Sequence, residues 1–340
     1  MSREKEMIRI IQQQMPRSST QINTVFESDA EIVDFHGKSL VYNIDEFSQE
    51  DMLREQDPYI LGWNMAVGSI SDIFASGGRP VYYAHSLVIQ KSWTKEYVEK
   101  LARGISDVLR ELDISFIGGD FGFSETWRYT GSVIGEMIGA PMLRSRANIG
   151  DILYITGDIG LGNVEAALKM YSDHPLIRKI TDRLKNRFRL LSKEAHFIKK
   201  YSECCIDTSD GVFNALDTLS ELSTIGFEVG NLPYEKSGIV LSKLLHIPKE
   251  ILFLGECGEY ELLFTINREA HEEFTQQCKK EGLNFYSIGE IKERGVKSLY
   301  EKNRKIDLST YHYSARDYEY PKEYLKDIIQ FIRTNTNDSI

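Results

Sequence analysis

The residues of this chain best placed to do chemistry are acidic, and they keep unusual company. Five short segments, ESDAEIV, YNIDEF, SISDIFASGG, FIGGDFG and CIDTSDG, set Asp29, Asp45, Asp72, Asp120, Asp207 and Asp210 among glycine, serine or apolar residues, with no Lys or Arg beside any of them. A carboxylate at an apolar strand end or in a glycine turn is costly unless it is paired. If the six converge, the natural counter-ion is a divalent cation. Hard oxygen ligands suit Mg²⁺, which keeps positions open for phosphate oxygens. The segments therefore read first as a Mg²⁺–nucleotide site.

Each segment also has a plainer reading. Asp72 follows a stretch rich in small residues (Ala66, Gly68, Ser69, Ser71), which allow close approach of a helix or ligand but also suit an ordinary helix end. Asp120 follows Gly118 and Gly119, which free the backbone to approach a phosphate or simply to turn. Asp207, Ser209 and Asp210 lie between a buried-looking strand and a helix, where Ser209 or Asp210 can cap the helix or face a phosphate. The loop ITGDIGLGN has three glycines but neither Walker A nor G-x-G-x-x-G spacing, so a plain strand–helix turn is its ordinary reading. Arg144, in MLRSRAN, is the best candidate for a cationic phosphate contact, against the usual fate of a surface arginine. His85 has no triad partner in view and the cysteines lack metal spacing, so neither receives a role.

The elements that must position these residues alternate loosely between helix and strand. The first helix ends near Pro16, and β-like runs follow at 22–26, 31–34 and 39–44. A helix is predicted over 58–76, with Pro58 in its first turn and Gly77-Gly78 at its end. Strand 80–90, helix 94–112, strand 114–118 (running into Gly118-Gly119-Asp120) and strand 129–139 complete the first half. The polar stretch RSRANIGD at 144–151 marks a boundary before the fresh strand ILYITG. Beyond it the pattern predicts helices at 163–172 and through 176–200, strand 204–207, helix 211–223 and strand 226–229. Strand 259–266, helix 268–281, strand 284–290, helix 322–333 and a frayed tail NTNDSI follow. The class is α+β with mixed or antiparallel sheets.

With 340 residues, 41% of them apolar, the chain can form two ordinary domains with sizeable cores. A net charge of −10 argues against a nucleic-acid or anionic-membrane partner, but not against a nucleotide whose charge a metal offsets. No apolar run reaches membrane-span length, and the first residues lack a signal peptide's apolar core. Four cysteines without a C-x-x-C pair fit free thiols and a cytoplasmic setting.

Taken in order, D-A-x-I-V, I-D, S-D-I-x-A-x-G-G-x-P, I-G-G-D, L-R-S-x-A-x-x-G-D-x-x-Y-x-T-G-x-x-G, I-D-x-S-D-G and E-Y-E-L-L-F-T resemble thiamine-monophosphate kinase. More widely they resemble the superfamily that includes aminoimidazole-ribotide synthetase, selenophosphate synthetase and a hydrogenase maturation enzyme. The resemblance covers residues 25–290. It implies an N-terminal α/β half (1–148) that binds ATP and Mg²⁺ and forms a homodimer through its sheet. A C-terminal α/β half (149–320) and a terminal helix and tail (321–340) follow. Carried over by position, Asp29, Asp45, Asp72, Asp120, Asp207 and Asp210 match the family's metal-binding aspartates, with Asp120 and Asp210 nearest the chemistry. Gly119, Asp120, Arg144 and Ser209 match its nucleotide contacts. The acceptor side departs from the family. Where a Thr-Asp pair and a Gly-x-His-Phe stretch are usual, this chain reads NIDEFSQEDML, and the histidine position falls at Met52. The Gly-Gly-Glu-Asp-Tyr motif becomes ECGEY, so Gly258 stands at the substrate-facing Glu and Glu259 at the Asp, with Glu256 as another shifted acid. The resemblance implies an ATP-dependent phosphotransferase acting on a small molecule other than thiamine monophosphate. Two rivals remain: a ligase or cyclase that activates an amide or carbonyl oxygen by phosphorylation, and a non-catalytic nucleotide-binding regulator.

Overall fold

The computed structural model describes residues 3–48, 57–170, 186–301 and 304–338. Helix α1 (Arg3–Gln14) leads into a unit built from β1 (Glu31–Phe35), β2 (Lys38–Ser48), α2 (Pro58–Ala75), β3 (Gly78–Gln90), α3 (Lys95–Glu111), β4 (Ser115–Ser124) and β5 (Arg128–Met137). Its sheet runs β1-β2-β5-β3-β4, with β3 and β4 parallel and the other pairs antiparallel. The Asp57 side chain starts α2 by accepting from the amides of Tyr59 (3.1 Å) and Ile60 (3.4 Å), and Pro58 occupies the first turn.

Small residues let α2 sit unusually deep. A Cβ on Gly62 would lie 2.0 Å from the Leu101 carbonyl oxygen of α3, and one on Gly131 of β5 would lie 2.0 Å from Ser69 Oγ. Helix α2 is thereby pressed between α3 and the inner sheet face, which contributes Val41, Phe47, Tyr83, Leu87, Tyr129 and Val133 to the core. The last turn of α2 reaches the sheet beside Asn43, whose side chain bonds Asp72. On the opposite face Tyr42, Ile44 and Tyr82 are exposed. Edge strand β4 also leaves Phe116, Ile117, Phe121 and Phe123 exposed.

The second unit contains β6 (Ile152–Ile155), α4 (Leu161–Met170), α5 (Ser192–Ile198), β7 (Cys205–Asp207), α6 (Val212–Ser223), β8 (Gly226–Gly230), α7 (Lys236–Leu244) and α8 (Ile251–Leu254). It continues with β9 (Leu262–Ile266), α9 (His271–Glu281), β10 (Tyr286–Lys292), β11 (Lys297–Glu301), β12 (Arg304–Asp307), α10 (Pro321–Thr334) and β13 (Thr336–Asp338). The sheet order is β13-β12-β11-β8-β10-β6-β9-β7, and within this sheet β8–β11 is the parallel pair among the described strands, the others being antiparallel. Tyr154, Phe264 and Phe274 join the core of the first unit, whereas Ile206, Leu216, Phe227 and Leu263 belong to a separate second core.

Several sequence expectations need correction. Residues 22–26 are not a strand: the chain bends at Asn23, whose Oδ1 takes the amide of Ile32 (2.8 Å), and turns over 25–27. Strand β4 continues past residue 118 to Ser124, so Asp120 lies within a strand instead of a turn. The predicted strand 259–266 begins only at Leu262. Of the helical stretch expected through 176–200, residues 192–198 are helical, and 171–185 lie outside the described residues. The tail is not frayed over 336–338, which pair with β12. All four cysteines are free, and burial pushes the Cys204 thiol up to about 12, so it stays protonated and inert. Among the described residues no helix is long and apolar enough to cross a membrane.

Candidate active site

Three carboxylates from distant parts of the chain meet where the two units join. Asp72 comes from the last turn of α2, Asp207 from the end of β7, and Asp29 from the loop before β1. One oxygen from each lies within 4.8 Å of the others. The positioning is local and specific. Ser76, the C-cap of α2, bonds Ser28 Oγ at 2.8 Å and accepts from the Ala30 amide at 2.9 Å, so the residues flanking Asp29 are tied to the end of the Asp72 helix. Asp207 is the last residue of a wholly buried strand, and its Oδ1 accepts from the Ser209 amide at 3.2 Å.

Asp45 and Asp210 belong to the same electrostatic group. The Asp72 carboxyl is pushed well above the usual carboxylate range, first by burial and then by Asp207, Asp45 and Asp210, with Asn43 opposing. Asp45 lies opposite Gly131 on the inner face of β2. Asp210 lies at the mouth with its side chain 61% exposed, and Arg316 Nη2 is 3.7 Å from it. Neither Ser209 nor Asp210 caps α6: the N-cap is Gly211 (φ +85), and no side chain bonds there.

Arg144 faces this cluster. It is in ion-pair contact with Asp29, and its backbone amide is bonded to the Glu27 carbonyl at 2.8 Å. Burial pushes its pKa down to about 10, while Asp207 and Asp210 oppose that shift, so the guanidinium remains charged at neutral pH. Asp29 Oδ2, Asp207 Oδ2 and Arg144 Nε are buried without a hydrogen-bond partner, while Asp29 Oδ1 is the atom in contact with the Arg144 guanidinium. Orphaned carboxylate oxygens and a cation beside them form a hard-oxygen donor set that fits Mg²⁺ and a phosphate. A cavity of about 380 Å³ opens from this point, lined there by Arg144, Asp207, Ser209 and Asp210. That volume lies within the range of small-molecule sites.

Gly119 and Asp120 do not join the cluster within one chain. Asp120 pairs with Ser86, which pairs with Thr130, which pairs with Glu46. Alternation then puts Asp120 on the open sheet face, opposite the side that carries Asp45, and about 14 Å across the strands from Glu46. Gly119 lies opposite His85, where a Cβ would come within 2.4 Å of the His85 carbonyl oxygen. His85 packs on Phe116 and Tyr129, and burial pushes its pKa down, which fits a structural role.

The acceptor-side positions are tied up in structure. Glu259 Oε1 accepts from the amides of Gly160 (2.9 Å) and Gly162 (2.8 Å), so these two glycine-loop amides are already taken. A Cβ on Gly258 would lie 1.5 Å from the Thr208 carbonyl oxygen, so no side chain fits at that position. Glu256 accepts from the Ala315 amide (2.7 Å) and from Asn214 Nδ2 (3.2 Å). Met52 lies outside the described residues. Sequence reasoning missed Arg316 and the groove-facing residues of α1. They approach the site from the far ends of the chain, and no local motif marks them.

Two family models match the chain: AIR synthase related protein, N-terminal domain, over residues 27–137, and AIR synthase related protein, C-terminal domain, over 148–302. The thiamine-monophosphate kinase of Bacillus subtilis is 29% identical over 252 residues, covering 71% of this chain and 76% of that protein. That of Methanopyrus kandleri is 25% identical and covers 80% and 86%. Among solved structures, AaThiL complexed with AMPPCP and TMP aligns with a TM-score of 0.72 at 23% identity, covering 87% of this chain and 93% of that one.

Proposed function

We propose, since this chain belongs to the AIR synthase-related family, that it is an ATP-dependent small-molecule kinase of the thiamine-monophosphate kinase type with an altered acceptor. The observation that carries the reading is the meeting of Asp29, Asp72 and Asp207, with buried unpartnered oxygens, beside Arg144 and a cavity of nucleotide scale. Asp29, Asp45, Asp72, Asp207 and Asp210 would hold Mg²⁺, which supplies charge neutralisation on the β- and γ-phosphates. Arg144 offers planar donors to phosphate oxygens from a fixed position, and Ser209 offers a hydroxyl on the same wall. The chain's own contribution is alignment: the acceptor oxygen and the γ-phosphorus must be held in line while the buried setting excludes water.

Asp120 and Gly119 enter this scheme through a second copy. The open sheet face and the exposed phenyl rings of β4 make a surface that a homodimer would cover, and a partner's β4 could then bring Asp120 to the metal set. Replacement of thiamine monophosphate by another acceptor is supported by Gly258, where the family's glutamate cannot be accommodated, and by Glu259, which is committed to the glycine loop. Free thiols fit a reducing compartment such as the cytoplasm.

The test is a metabolite screen with MgATP followed by ³¹P NMR. A new phosphoester or diphosphate on an organic acceptor is expected. Free phosphate released only with a co-substrate would replace the kinase reading with the ligase one. Tight MgATP binding without turnover would favour a regulator.

A further inference from the structure

The cavity beside the carboxylates is a groove between two helices. Asn214, Ala215, Thr218, Glu221 and Leu222 line one side at helical spacing, forming a single stripe of α6. From Gly211 to Leu222 that stripe runs roughly 16 Å, enough for a nucleoside triphosphate laid lengthways. The opposite wall is α1, through Glu4, Lys5, Ile8 and Arg9.

Helix α1 is lightly attached. Across residues 4–14 none is buried, and only Lys5 and Ile8, both lining the groove, are even half-buried. Two ion pairs tie it down: Lys5 Nζ lies 2.7 Å from Glu221, and Glu4 contacts Arg316, the residue that also approaches Asp210. Exposed pairs of this kind exchange readily, and segments with so little apolar burial open at low cost. Beside Leu222, at the end of the stripe away from Gly211, is Phe26, with φ +65 and Arg9 over its ring at 6.0 Å. A bulky residue in the left-handed region is an outlier, and such strain gathers at ligand clamps. Both α1 and Phe26 precede residue 27, where the N-terminal family model begins.

We propose that α1 is the lid of the nucleotide site and that Ile8, Phe26 and Leu222 form its base pocket. This rests on the kinase reading and extends it: the phosphates lie at the carboxylate end, and residues ahead of the matched domain select the nucleoside. Lys5 places a positive charge on the lid wall, where it can leave Glu221 for the bound nucleotide.

The test uses the full chain and titration calorimetry in Mg²⁺ with two ligands, ATP and inorganic tripolyphosphate. Ile8→Asp, on a helix that contributes nothing to either core, should weaken ATP at least about tenfold, the effect of 1.4 kcal/mol. Tripolyphosphate, which has no base, should keep its affinity. MgATP should also slow tryptic cleavage after Lys5 and Arg9 in the wild-type chain and not in the variant. Phe26→Ala should show the same split between the two ligands. Unchanged ATP affinity in Ile8→Asp, or an equal loss for both ligands, overturns the lid. A wild-type chain that binds neither ligand overturns the kinase reading and the lid with it, so the two failures are distinguishable.

Discussion

Replacing Asp72 by Asn should make the metal-free protein more stable while destroying its activity. The magnitude follows from the geometry. Oxygens of Asp72 and Asp207 approach within 4.8 Å. At that distance two unit charges repel by about 3 kcal/mol in an effective dielectric of about 20. Asp29 adds little because Arg144 offsets it, whereas Asp45 and Asp210 add to the push on Asp72. The native protein avoids part of this cost by keeping a proton on Asp72, so the Asn variant should gain about 1–3 kcal/mol at pH 8, a shift of a few degrees in Tm. The sign with pH is fixed. Asp72 has its folded pKa raised above the unfolded value, so folding favours its protonated form. The penalty is absent below about pH 4, grows as pH rises towards the folded pKa, and is level above it. Scanning fluorimetry of both proteins from pH 4 to 9 in chelator should therefore show a stability gap that opens with pH. Adding Mg²⁺ and ATP should reverse the order, since ligand at a thousandfold over Kd stabilises the wild type by about 4.1 kcal/mol. Turnover of the variant should fall by about two to three orders of magnitude. A variant less stable than wild type at pH 8–9 in chelator, or a gap of the same size at pH 4, would refute the reasoning.

Arg144→Met leaves Asp29 buried and unpaired, which should cost about 3–5 kcal/mol; thermal melts should show the loss, and Mg²⁺ should restore part of it by supplying the missing charge. Gly258→Glu, which restores the family's acid, should destabilise the chain by about 3 kcal/mol or more through collision with the Thr208 carbonyl; urea unfolding checks this, and no thiamine-monophosphate kinase activity should appear. Asp120→Asn and Asp72→Asn should each be inactive alone, yet mixing and reassociating the two should recover about a quarter of wild-type turnover, because half the dimers are mixed and each mixed dimer has one intact site. No recovery, despite mass-spectrometric evidence of mixed dimers, would place Asp120 outside a shared site.

Asp29, Asp72, Asp207 and Asp210 were legible because each lies where its segment changes direction, at a strand end, a helix end or a loop, and such positions converge when elements pack side by side; Asp45 instead lies within β2, on its inner face. Asp120 differs: Gly118 and Gly119 read as a turn, but their backbones continue the β3–β4 ladder to Ser124. The run at 22–26 has β-forming residues, but the chain bends at Asn23, whose side chain bonds Ile32 across the loop. Residues 336–338 look frayed in isolation, and their order comes from pairing with β12. The α1 wall was invisible because ion pairs linking Glu4 and Lys5 to residues more than two hundred positions away leave no local pattern.

The loop at 256–260 and the segment carrying Asp207 are a single hydrogen-bonded unit, which limits how such a site can change. The Gly258 amide bonds the Ser209 carbonyl at 3.1 Å, the Thr208 amide bonds the Glu261 carbonyl at 2.9 Å, and the Glu261 amide bonds Thr208 Oγ1 at 3.0 Å. Shifting the loop to admit a side chain at 258 would therefore drag Thr208 and Ser209, and with them the flank of Asp207. Glu259 reinforces the constraint, because withdrawing it would strand two buried glycine amides. A change of acceptor compatible with an intact metal set must then come from side chains off this ladder. Glu256 is the acid of the loop that faces outward from the ladder, towards Asn214 and the 314–315 turn. If the loop borders the acceptor, as proposed, specificity falls to positions around it and not to its middle residue, whose identity the Thr208 carbonyl fixes as glycine.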